Sequence, residues 1–167
     1  MNSDISTYTL YTLYTLSQNS GTLAKFSRKA WKFQCTIRTP LTNLEPFVAE
    51  IISALMPIEK GIIAIDAYVF EPKNLRKLLS AYPQSVNITH GWSIESITTQ
   101  SIRELLLATF QDWIDFAFIP APQPFVIYAD HDEYTTFYAM TKSNLNRVVR
   151  PLLAQGFTQV KGFERSR

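Results

Sequence analysis

Two β-rich runs, Phe-Val-Ile-Tyr-Ala at 125–129 and Tyr-Thr-Thr-Phe-Tyr-Ala-Met at 134–140, are joined by only four residues, Asp130-His131-Asp132-Glu133. Parallel neighbours need a crossover of about a dozen residues or more, so this link commits the two runs to an antiparallel hairpin. Pro120, Pro122 and Pro124 separate the hairpin from a preceding apolar run at 116–119. The fold must therefore hold a hairpin whose tip carries three carboxylates and one imidazole.

The rest of the chain alternates between the two periodicities. Trp31, Phe33, Cys35 and Ile37 alternate with polar neighbours over 31–38, the period of a half-buried strand, and Cys35 falls on its apolar face. From 41 to 56 the period changes. Thr42-Asn43-Leu44-Glu45 fits a capping box, Pro46 suits a first turn, and Phe47, Ile51 and Leu55 mark one helical face that ends before Pro57. The apolar run at 61–70 reads as an interior strand covered on both faces. A short basic helix is expected over 72–82, a short strand at 85–89, and a helix over 98–113 whose buried side includes Ile102, Leu105, Leu106, Thr109 and Trp113. Ser101-Ile102-Arg103-Glu104 is a second capping-box candidate in that helix. After the hairpin, Ser143 opens a helix that Pro151 kinks or shortens and that ends at Gly156, followed by a last strand at 157–160. Strands and helices interleave without a strict β-α-β repeat. The expected fold is a single α+β domain over 1–167, a mixed β-sheet of about six to eight strands with about three to four helices, with 1–6 and 164–167 flexible. The triplet Tyr-Thr-Leu, repeated three times over 8–16, reads as an early strand or an arm, and 17–21 as a turn.

Composition excludes several classes. At 46% hydrophobic and 18% charged, the 167 residues suit a folded core and not a disordered chain. The one cysteine, Cys35, can form no internal disulfide and no multi-thiolate zinc site, which favours a reducing cytoplasmic setting. No run reaches the roughly 18 apolar residues of a membrane span. Residues 1–19 carry no basic region followed by an apolar run, so no export signal is expected. The net charge of +2 is unevenly distributed: residues 1–40 carry five bases against one acid, 41–140 five against twelve, and 141–167 six against one.

No nucleotide-binding loop, nucleophile elbow or metal set is present, and no cofactor is expected. Cys35 reads as packing, since a nucleophilic thiol needs an accessible, electropositive setting. The four residues 130–133 resemble a metal cluster in composition, but consecutive turn residues cannot all point at one ion. His90 and His131 would serve as acid and base of a small metal-independent ribonuclease, with Tyr134 beside them, if the fold brought them together. Residues 25–32, with Arg147, Arg150, Lys161, Arg165 and Arg167, supply the charge for a nucleic-acid-binding module.

The leading expectation is a binding protein and not an enzyme. Asp112, Asp115, Tyr128, Asp130, His131, Asp132, Glu133 and Tyr134 form the candidate partner surface, aromatic for contact area and acidic for steering a basic protein. An immunity protein that neutralises a basic nuclease toxin is the specific form, because carboxylates mimic the phosphates such an enzyme binds.

Overall fold

The computed structural model describes residues 32–81, 87–89 and 93–163. Seven strands and four helices follow in the order β1 (Phe33–Arg38), α1 (Leu44–Leu55), β2 (Lys60–Tyr68), α2 (Lys73–Ala81), β3 (Asn87–Thr89), β4 (Ser93–Ser96), α3 (Thr99–Gln111), β5 (Ile114–Ala121), β6 (Phe125–Ala129), β7 (Tyr134–Ala139) and α4 (Lys142–Ala154). The architecture is α+β, as expected. The expectations at 8–21, 25–31, His90 and 164–167 lie outside the described residues.

One seven-stranded sheet has the order β1-β7-β6-β5-β2-β4-β3. Every ladder in it is antiparallel, where the chain pattern suggested a mixed sheet. The reason lies in the crossovers. The link through α3 joins β4 to β5, which run the same way, but β2 lies between them; the link through α2 joins β2 to β3 across β4. Like-directed strands are thus never neighbours. Strand β4 was not foreseen, because Ser-Ile-Glu-Ser offers one apolar residue, Ile94, to a core that only tertiary contact completes.

The four helices form a layer on one face of the sheet, α4 against α1, α1 against α3 and α3 against α2. Between layer and sheet lies the main core, with Ile37, Phe47, Leu55, Phe116, Phe125 and Phe137 fully buried. The period of two sends alternate residues to the opposite face, where Ile62, Ala117, Ile119, Val126, Tyr128 and Tyr138 form a second buried cluster. Strands β5 and β6 are buried along their whole length. Strand β2, read as doubly covered, is so only in part: Ile62 and Ile63 are buried, but a register shift between Ile65 and Ala67 leaves Asp66 and Ala67 exposed. Gly61 lets α3 approach closely, since a Cβ there would sit 2.7 Å from Cγ1 of Ile102.

Helix ends depart from the expected caps. Asn43 precedes α1 with no side-chain cap bond, and Glu45 instead forms an ion pair with Arg103 of α3. Thr98 caps α3, accepting from the Ser101 amide, and Thr141 caps α4 in the same way from Asn144, two residues ahead of the expected Ser143. Pro151 is accommodated inside α4, which continues to Ala154 before Gly156 takes a left-handed backbone at φ 91°. The last strand reduces to a bridge between Gln159 and Ile37, flanked by bonds from Arg38 N to Thr158 O and from Val160 N to Thr36 O.

Candidate functional site

The ladders place the end of β2, the start of α2, the end of α3, the start of β5, the 130–133 turn and the end of β1 at one end of the sheet. Helix α3 stops at Gln111, and Asp112 sits at its C-cap with its amide directed to Ala108 O. Trp113 follows in the left-handed conformation, φ 57°, at the position where helices most often use glycine. The ring was expected on the buried side of α3. It lies instead past the helix end, 36% exposed, because the reversal into β5 swings it out of the helical register. It meets Phe70 edge to face, with centroids 6.4 Å apart, and Phe70 is itself 59% exposed. The two rings, with Glu71, Lys73, Asn74, Gln111 and Asp112, line a hollow of about 590 Å³.

The neighbouring turn is held by several hydrogen bonds. Asp130 Oδ1 accepts the amides of Asp132 and Tyr134, each at 3.0 Å, an Asx-type closure. Asp115 Oδ1 accepts the His131 amide at 2.7 Å and the ring Nδ1–H at 2.8 Å. Glu133, at φ 67°, gives its carbonyl to the Thr39 amide at 2.7 Å and pairs with Arg38 at 3.5 Å. The Arg38 guanidinium lies 5.9 Å from the centre of the Tyr134 ring, which packs on Phe163. Asp132 has a side chain 73% exposed.

Three members of the expected partner surface are interior. The Asp112 carboxylate accepts the Asn74 and Leu75 amides and the Asn74 side chain, which satisfies the first turn of α2. Asp115 is spent on His131. Tyr128 is buried, and its hydroxyl donates to Oδ2 of the exposed Asp66 at 2.6 Å. The three side chains are buried and their polar groups are engaged within the protein. Asp130, His131, Asp132, Glu133 and Tyr134 remain at this end of the sheet, where the structure also exposes Trp113, Phe70, Asp66 and Arg38, which the chain pattern did not single out. Only one sequence signal pointed to Trp113, namely that no glycine stands at the join of a helix and a strand.

The hydrogen bond that the His131 ring donates to Asp115 raises the pKa of His131 above the usual imidazole value of 6.5, the charges of Asp115, Asp132 and Asp130 add to this, and burial opposes it. A raised folded-state value means that protonated His131 favours the fold. That contribution is complete below about pH 6.5, the unfolded-state value, and disappears as pH rises through the folded pKa. NMR titration of the His131 ring should give a midpoint above that of a free histidine, and Asp115→Asn should bring it back down. A midpoint unchanged by Asp115→Asn would separate the two groups electrostatically.

Cys35 is buried, and burial pushes its thiol pKa up, as suits a packing residue. Among the described residues no group of three or more His, Cys, Asp or Glu side chains could hold a metal ion. No described helix is long and apolar enough to cross a membrane. His90, the second imidazole of the ribonuclease reading, lies outside the described residues. No protein-family model matches the chain, and comparisons with curated proteins and with solved structures find no match.

Proposed function

We propose that the protein works by protein–protein recognition through the rim that carries Phe70, Trp113 and the 130–133 turn. One observation supports this reading most. Trp113 and Glu133 are the two non-glycine residues with left-handed backbone among the described residues, and both stand on this rim. Each conformation costs about 1 kcal/mol or more relative to glycine. Strain of this kind is retained where the side chain has a use that glycine lacks. Large exposed aromatics at the centre and charges around them are the composition of binding hot spots. A turn already held by Asp115 and Asp130 loses little further freedom on binding. The acidic character of residues 41–140 favours a basic partner, and the specific form we infer is an immunity-type inhibitor that covers a nuclease toxin's phosphate-binding surface.

The test places a photo-crosslinking residue at Asp132 and exposes the protein to nuclease-treated extract of its source cells at low salt. The expected adduct is one small basic protein. It should vanish in Trp113→Gly, which relieves the backbone strain but loses the ring's packing on Phe70, so a cooperative thermal transition is recorded alongside to show that the variant is folded. An adduct indifferent to Trp113→Gly, or no discrete protein adduct, would overturn the reading. RNA cleavage that falls with His131→Ala would replace it with the ribonuclease.

A further inference from the structure

At the other end of the sheet, α4 presents cations that have no counter-charge. Lys142, Arg147 and Arg150 belong to a helix whose sequence contains no acid, and among the described residues no ion pair reaches any of them. Arg38, Lys60, Arg76 and Arg103 each have a carboxylate within 4.0 Å, and among the described residues Lys32, Lys73, Lys77 and Lys161 do not; what sets the α4 cations apart is that three of them line one hollow. One Arg147 nitrogen donates to Gln123 Oε1 at 3.0 Å, a neutral acceptor that positions the guanidinium without cancelling its charge. The three cations, with Ser143, Asn144 and Asn146, line a hollow of about 640 Å³. Each lining side chain is a cation or a neutral hydrogen-bonding group; there is no carboxylate and no aromatic ring among them.

We propose that this hollow binds the phosphodiester backbone of a single nucleic-acid strand. The spacing argues for a polymer. Lys142 and Arg150 are separated by about 12 Å along the axis, at about 1.5 Å per residue, which is wider than one phosphate group and suits a chain presenting phosphates in succession. Arginine forks give paired bonds to phosphate oxygens, and the serine and asparagine groups supply further donors between them. A bilayer is also polyanionic, but membrane-surface helices carry an apolar face beside their cations, and no apolar side chain lines this hollow. With no ring for stacking, binding depends on the backbone charge and is indifferent to base sequence. The hollow and the aromatic rim lie at opposite ends of the sheet, so this inference stands independently of the proposed protein partner.

Fluorescence anisotropy with a labelled single-stranded RNA of about 12 nucleotides should show saturable binding that weakens roughly 20-fold between about 50 and about 200 mM salt, as three phosphate contacts at about 0.7 each in the log–log slope require. Two unrelated sequences should bind alike. The double variant Arg147→Glu/Arg150→Glu should lose at least tenfold at the lower salt with an unchanged thermal midpoint; if it folds poorly, Arg147→Gln/Arg150→Gln should show the same direction of change. Absence of binding at low salt, or binding that either double variant leaves intact, overturns the proposal and in the latter case moves the site to other basic residues. Equal affinity for phosphatidylserine vesicles, or complete displacement by inorganic phosphate at matched ionic strength, overturns it in favour of a lipid surface or a single-phosphate site.

Discussion

Phe47→Ala should destabilise the protein by about 3–5 kcal/mol and lower its thermal midpoint by roughly 10 °C or more. The side chain is fully buried on α1 and meets three other rings edge to face: Phe110 of α3 at 5.8 Å, Phe137 of β7 at 6.4 Å and Phe157 beyond α4 at 5.2 Å. Truncation removes the transfer energy of the ring and leaves a cavity that three elements would have to move together to close. It also removes three aromatic contacts, each worth about 0.5–1.5 kcal/mol beyond buried area. Phe47→Leu, which keeps most of the volume, should cost about 1–2 kcal/mol. Urea denaturation of the three proteins measures the series. A cost below about 1 kcal/mol for the alanine variant would mean that the helical layer is not anchored through this ring.

Asp112→Ala should cost about 1–3 kcal/mol, and the damage should concentrate in α2. This helix has no acid in its first turn and fully buries only Leu75, with Leu78 and Leu79 partly buried against the core, so its N-terminal turn depends on acceptors from outside the helix. Asp112 supplies the missing acceptors from the end of α3: Oδ1 takes the Asn74 amide at 3.1 Å and its side chain at 2.7 Å, and Oδ2 takes the Leu75 amide at 2.7 Å. Removing the carboxylate leaves the Leu75 N–H buried without a partner and removes a negative charge from a helix N-terminus. Asp112→Asn keeps one acceptor and should fall between wild type and alanine. Hydrogen exchange should show α2 amides opening faster in both variants while β5 and β6 keep their protection. Uniform loss of protection across the sheet would instead make α2 part of the global folding unit.

The two residues show why the chain pattern succeeded in one place and failed in another. Phe47 was legible because its spacing to Ile51 and Leu55 repeats a helical face, a signal carried by local periodicity. Asp112 was read as a surface acid because its partners, Asn74 and Leu75, lie nearly forty residues earlier, and no local pattern encodes that meeting. The same holds for Asp115 with His131 and for Tyr128 with Asp66. Trp113 failed for a different reason. It extends the helical spacing by one more step, and only the reversal into β5 shows that the helix has already ended.

The hairpin with which the chain pattern began is present as β6 and β7, its turn at 130–133, and its antiparallel direction follows from the short link alone. Length, period and turn chemistry also determined the α+β class, the four helices and the burial of Cys35 and Ile37, because each depends on neighbours in sequence. Strand order, the absence of parallel neighbours and the division of the acids into interior supports and one exposed rim were decided by tertiary structure. Each depends on which distant groups meet, and a carboxylate has the same local signature whether it ends up in solvent or accepts a buried amide.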